Sequence, residues 1–131
     1  MKIETNDPLA TVLIVNYNNS NCIDQCLKSV INQNYKKIEI IVVDDNSSDN
    51  SLEILNRYTD QIKLIKKKKK TGLGFFDQMS SYYEGFKESK GEIIFFLDSD
   101  DYFHLDKVSI VMNEFYQNEK IMVVRPRCEH F

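Results

Sequence analysis

Residues Ile93-Ile94-Phe95-Phe96-Leu97 run directly into Asp98-Ser99-Asp100-Asp101. Carboxylates crowded at one point repel one another unless a cation or a donor-rich ligand offsets their charge. An oxygen-rich cluster of this kind suits hard divalent ions such as Mg²⁺ or Mn²⁺. The plainer reading of the same letters is a polar turn that caps a helix. The device recurs, however. Ile38 to Val43 is a second apolar run, and it empties into Asp44-Asp45-Asn46-Ser47-Ser48-Asp49. Thr11 to Val15 is a third, and it empties into Asn16-Tyr17-Asn18-Asn19-Ser20. If these runs are parallel strands, their carboxyl ends share one edge of the sheet, where open α/β folds bind ligands.

The elements needed to bring the three clusters together can be read from the hydrophobic pattern. Five consecutive apolar residues before Asp98 suit a strand covered on both faces, as in a parallel sheet. Strands are expected over Leu9–Asn16, Ile38–Asp44, Gln61–Lys66, Glu92–Leu97 and Lys120–Val124. Helices are expected over Asn21–Asn32, capped by Ser20 or Asn21, and over Ser51–Tyr58, capped by Ser48 or Asp49. A third helix is expected over Phe75–Ser89, with Phe75, Met79, Tyr82, Tyr83 and Phe86 at helical spacing and Lys90-Gly91 ending it. A fourth is expected over Leu105–Gln117. Alternation of this kind implies right-handed βαβ crossovers and a three-layer α/β/α fold with a mainly parallel sheet. No internal repeat or linker interrupts it, so residues 1–131 read as one domain.

Bulk properties narrow the class. The 131-residue chain is 42% hydrophobic and 28% charged, which is ordinary for a globular domain. Its net charge of −3 argues against a nucleic-acid partner. No apolar run approaches a membrane span, and the first residues lack the apolar core of a signal peptide, so the cytoplasm is the expected address. Three cysteines give no even disulfide framework. Cys22 and Cys26 share a helix face with Ile23, Leu27, Val30 and Ile31 and read as small core residues, and Cys128 carries no signal. His104 and His130 are too far apart for a metal cluster, and His104 reads as an exposed helix-start residue. Lys66 to Lys70 is an unbroken lysine run, either a solvated loop or an attraction for a phosphate-bearing or membrane-surface partner. Thr71-Gly72-Leu73-Gly74 completes no phosphate-loop pattern.

Together these segments resemble the family-two glycosyltransferases, whose catalytic domains have the GT-A fold. The matching pieces, in order, are Val12 to Asn18, Ile41 to Asp49 and Gly91 to Asp101, within a resemblance running from about Pro8 to about Val124. The resemblance implies a site for a nucleotide-diphosphate sugar, with a weak preference for uridine. It places Asn16, Tyr17 and Asn18 in the nucleotide pocket, and Asp44 and Asp45 at the base and ribose. Asp98-Ser99-Asp100 would be the family's D-x-D motif, with Asp98 facing ribose or sugar and Asp100 holding Mn²⁺ or Mg²⁺ on the diphosphate. One departure stands out. Gln78-Met79-Ser80-Ser81-Tyr82-Tyr83-Glu84-Gly85 has Tyr83 where many relatives carry Asn.

Whole catalytic domains of the family are longer, and the additional part carries the acceptor site and the general base. No general base is assigned in this chain, which is expected to be the nucleotide-binding part, truncated on its C-terminal side. It would bind donor and transfer sugar poorly by itself. A sheet cut short in this way would expose apolar surface, and self-association is an expectation that follows. Three other readings remain at this point. A non-catalytic nucleotide-sugar-binding module shares every motif. A signalling receiver domain has the right length, but its acidic pair follows the first strand, and it needs a late lysine where Val123-Val124-Arg125 stand. A haloacid-dehalogenase-like phosphatase opens, rather than closes, on Asp-x-Asp.

Overall fold

The computed structural model describes residues 7–118 and 120. The strands are β1 (Ala10–Asn16), β2 (Ile38–Asp44), β3 (Lys63–Lys66) and β4 (Ile93–Asp98), and the helices α1 (Ile23–Ile31), α2 (Ser51–Asn56), α3 (Gly74–Glu88) and α4 (Lys107–Gln117). Four of the five expected strands and all four expected helices are present, with ends shifted by a few residues. The strand anticipated over Lys120–Val124, together with Cys128 and His130, lies outside the described residues apart from Lys120. The four strands pair in the order β3-β2-β1-β4, every pair parallel. Parallel pairing forces each connection to cross over a face of the sheet, and a helix does this each time.

Side chains alternate between the two faces of a strand, and both faces of this sheet are occupied. Ala10, Val12, Ile14, Ile40, Val42, Phe95 and Leu97 pack with α1, α2 and α4 in the main core. Leu13, Ile41 and Val43 point the other way, and Ile65, Ile94 and Tyr82 of α3 cover them. The result is the expected α/β/α sandwich. Cys26 is buried in the main core, where burial and the nearby carboxylates push its thiol up to about 12. It is a packing residue, as its helix face implied.

Two expectations about burial need correction. Among the described strands β4 has a neighbour on one side only, and its apolar run is not covered on both faces, since Phe96 is 58% exposed. The apolar spacing of α3 also does not mark its packed face. The helix buries Asp77, Ser81 and Gly85 instead, while Phe75, Met79, Tyr83 and Phe86 stand exposed. The reason is steric. A Cβ built on Gly85 would lie 2.1 Å from Leu13 Cδ1, so α3 approaches the sheet most closely at a residue without a side chain, with Tyr82 the one aromatic of the set that packs on the sheet. That close approach turns the rest of the aromatic arc away from the sheet.

Capping also differs in detail. Cys22, not Ser20 or Asn21, holds the N-cap position of α1, and the turn is closed by the carbonyl of Asn19 accepting from the Cys22 and Ile23 amides. Gly91 does not cap α3, which ends at Ser89 in an extended conformation. It is required by the neighbouring strand instead. A Cβ there would lie 2.5 Å from the Thr11 backbone nitrogen and 2.9 Å from the Ala10 carbonyl carbon. Glu39 gathers the same corner by accepting from the Thr11 hydroxyl and from the Lys90 and Gly91 amides. Gly91→Ala should therefore displace backbone in a central strand. The expected loss is about 1–3 kcal/mol, the usual cost of overpacking, read as a lower urea midpoint at unchanged slope. Among the described residues no helix is long and apolar enough to cross a membrane.

Candidate functional site

Parallel register decides which residues meet. Asn16 pairs with Asp44 across β1 and β2, and Val15 pairs with Asp98 across β1 and β4. All three polar clusters therefore emerge from one edge of the sheet. An open cleft of about 320 Å³ lies there, and Tyr17, Asp45, Asp98, Ser99 and Asp100 line it. Those five were all expected at a site from the sequence.

Asn16, Asn18 and Asp44 were expected at the site as well, and they are not among the residues that line this cleft. Asn16 is fully buried, and its amide donates to Asp44 Oδ1 at 2.8 Å and to Ser47 Oγ at 3.2 Å. Asp44 also accepts from the Ser47 amide and hydroxyl. Asn18 adopts the left-handed conformation (φ 49°), one that asparagine tolerates better than most residues. Its side-chain oxygen accepts from the Ser48 and Asp49 amides. Asp49 then accepts from the Ser20 and Ser51 amides. Burial works to raise the Asp49 carboxyl, but the hydrogen bonds from Ser51 and Ser20 outweigh it and hold the group down at about 2. These residues lace the loop after β1 to the loop after β2, and so fix Tyr17 and Asp45 in place. Apart from the buried Asn16 Oδ1, which has no hydrogen-bond partner, the side-chain groups of Asn16, Asn18 and Asp44 described above are engaged in that lacing.

The acidic end of β4 is similarly held. Ser99 is buried, and its hydroxyl accepts from Asn19 Nδ2 at 2.7 Å. Oδ1 of Asp98 accepts from the Tyr82 hydroxyl at 2.5 Å and from Gln78 Nε2 at 3.2 Å, which fixes the rotation of the carboxylate. Burial and this hydrogen bond push the Tyr82 hydroxyl far above its ordinary range, so it remains a donor. One carboxylate oxygen from each of Asp98, Asp100 and Asp101 lies within 4.8 Å of the others. Three oxygen donors so close fit a single hard divalent ion, given small side-chain adjustments. His104 does not join them.

Lysines complete the cleft, and nothing local in the lysine run marks which ones. Asp45 is 3% exposed, and two ammonium groups face it. Lys67 Nζ lies 3.0 Å from Oδ1 and Lys70 Nζ 3.5 Å from Oδ2. Lys67 also donates to the Asp77 carbonyl and to Ser81 Oγ. The Lys67 contact with Asp45 is an ion pair outside hydrogen-bond geometry, which leaves Asp45 Oδ1 able to accept a further bond. Lys70 Nζ sits 3.0 Å above the centre of the Tyr17 ring. The loop that carries these lysines is pinned by buried Asp77, which accepts from the Thr71 amide and hydroxyl and from the Gly72 amide. The bond from the Thr71 amide does most to lower the Asp77 carboxyl below its usual range, against the opposing effect of burial. Of the lysine run, Lys68 and Lys69 match the expectation of a solvated loop, whereas Lys67 and Lys70 fold inward.

The family model for glycosyl transferase family 2 matches residues 11–130, almost the whole chain. The protein belongs to that family. An uncharacterized glycosyltransferase of Haemophilus influenzae is 35% identical over 122 residues, covering 89% of this chain and 46% of that protein. Among solved structures, Staphylococcus aureus TarS 1-349 in complex with UDP superposes with a TM-score of 0.74 at 25% identity, over 85% of this chain and 33% of that one. The mannosyltransferase PcManGT of Pyrobaculum calidifontis, in complex with GDP-Man and Mn²⁺, shares the fold with a TM-score of 0.66 at 24% identity, over 76% of this chain and 29% of that one. The chain thus spans less than half the length of each of these proteins. Membership in glycosyl transferase family 2 removes the receiver and phosphatase readings. It also agrees with the fold, a parallel α/β sheet of GT-A type with its polar edge at the carboxyl ends of β1, β2 and β4.

Proposed function

We propose that this protein binds a nucleotide-diphosphate sugar, a UDP-sugar in the first instance, and belongs to a glycosyltransferase that passes the sugar to a saccharide or other acceptor in glycan or polysaccharide synthesis. One observation carries the reading. A buried carboxylate with unused acceptor capacity (Asp45), an aromatic face (Tyr17) and two carboxylates of an acidic cluster (Asp98 and Asp100, with Asp101 beside them) converge on a single cleft. In this reading Asp45 accepts from an N–H of the base and Tyr17 offers its ring to the base. Asp98, oriented by Tyr82 and Gln78, and Asp100 hold Mn²⁺ or Mg²⁺. A bound cation would offset the charge that the nucleoside diphosphate acquires as it leaves. The UDP held by TarS and the GDP-Man and Mn²⁺ held by PcManGT support the same class of donor. An inverting course is proposed from the family resemblance.

Calorimetry with UDP tests the proposal directly. Binding should be measurable in Mn²⁺ and markedly weaker in chelator. Equal affinity in the two buffers would refute the cation assignment, and no binding in either would refute the nucleotide site.

A further inference from the structure

One of the side chains lining the cleft, Lys70, covers two of its other walls. The Lys70 ammonium lies between the two groups that the proposed nucleotide reading assigns to the base. It stands 3.0 Å from the centre of the Tyr17 ring and 3.5 Å from Asp45 Oδ2. The cation occupies the aromatic face and engages Asp45 Oδ2, so a planar base must displace Lys70 to stack on that face of Tyr17. We infer that Lys70 is a displaceable internal competitor for the nucleobase, swinging out of the cleft when a nucleoside binds and setting the affinity of the site for it. This inference rests on the nucleotide reading and adds a residue to it.

The surroundings show why Lys70, and not its neighbour, is the group that moves. Lys67 is anchored by the Asp45 carboxylate, the Asp77 carbonyl and Ser81 Oγ, and its backbone amide donates to the Asp44 carbonyl. Lys70 contacts Asp45 at the longer distance and otherwise rests on the ring. When Lys70 leaves, Lys67 still faces the buried Asp45 charge, and buried Asp77, whose carboxyl Lys70 also helps to lower, keeps its hydrogen bonds from Thr71 and Gly72. The backbone on either side of Lys70 is also held. Lys67 is tied to β2, and the Thr71 and Gly72 amides are tied to Asp77. The motion therefore belongs to the lysine side chain rather than to the loop. Such a side chain reaches solvent by rotating its own flexible stem, at little cost to the fold.

Titration with uridine, which has a base but no phosphate, isolates the competition from any attraction between lysine and diphosphate. Lys70→Ala should bind uridine roughly three- to tenfold more tightly than the native protein, the factor expected when a partly desolvated cation–π contact no longer competes. Lys69→Ala removes the same charge from an exposed position and should leave uridine affinity unchanged. Lys70→Gln serves as a second variant should the alanine protein melt early. A native protein that binds UDP, paired with Lys70 variants that gain nothing for uridine or lose affinity, would overturn the competition and leave the nucleotide site standing. Failure of every protein to bind either UDP or uridine would remove both. A gain shared equally by Lys69→Ala would reduce the effect to general charge and also overturn it.

Discussion

Asp100→Ala should weaken UDP binding in Mn²⁺ to the level that the native protein shows in chelator, and should make the variant indifferent to the metal. The residue contributes one of three carboxylate oxygens within 4.8 Å of one another, and among the described residues its side chain, unlike that of Asp98, makes no hydrogen bond to a neighbouring side chain. Its loss should therefore act on the cation and leave the wall of the cleft intact. Removing even an outer partner of a metal ligand commonly costs 10- to 100-fold in affinity, and removing a ligand should cost at least about tenfold here. Folding should be unharmed, because taking one carboxylate from a crowded acidic cluster relieves repulsion. The variant is thus expected to melt at or slightly above the native temperature while losing metal-linked binding. That opposite movement of stability and affinity is the signature sought. Retained Mn²⁺ dependence in a well-folded Asp100→Ala protein would move the cation to Asp98 and Asp101 alone.

Lys67→Met should behave in the reverse sense, as a loss of stability. Its ammonium is the nearer cation to the buried Asp45 and joins β2, the following loop and α3 through Asp45, the Asp77 carbonyl and Ser81. Breaking a buried ion pair by removing one partner typically costs 3–5 kcal/mol, because the remaining charge is left uncompensated. Lys70 still faces Asp45 and moderates that penalty, so a loss of about 2–3 kcal/mol is expected, within the range set by the missing bonds and the partly compensated charge. Denaturant unfolding of the two lysine variants side by side checks the division of labour. Lys67→Met should show that loss of about 2–3 kcal/mol, while Lys70→Ala should lose little. Equal losses would mean that the two lysines share one structural role.

The location of the site was legible in the sequence because strands announce themselves locally. An apolar run that stops at Asp, Asn or Ser records both a buried strand and its polar end in the same few residues. Three such runs in β–α alternation leave a parallel sheet as the natural arrangement. Tyr17, Asp45, Asp98, Ser99 and Asp100 could be assigned to one edge before their distances were known, and the family's motifs lay on the same segments. Exposure and partnership were not legible in that way. A helical repeat of Phe75, Met79, Tyr82, Tyr83 and Phe86 reads as a packed face, yet the sheet selected Asp77, Ser81 and Gly85, because only small side chains allow so close an approach to Leu13.

The sequence by itself determined the order of elements, the polar strand ends and the class of ligand those ends suit. Only the tertiary structure decided which polar groups face the cleft and which are consumed in building it. Asn16 and Asn18 lie on either side of Tyr17, yet Asn16 is buried against Asp44 and Asn18 bridges to the loop after β2, while Tyr17 lines the cleft. Five identical lysines likewise carry no local mark that separates the solvated pair from Lys67 and Lys70. Their roles follow from where the chain turns relative to Asp45. The physical reason is range: hydrophobic periodicity is written within a few neighbouring residues, whereas an ion pair or a hydrogen bond across strands depends on register between segments far apart in the chain.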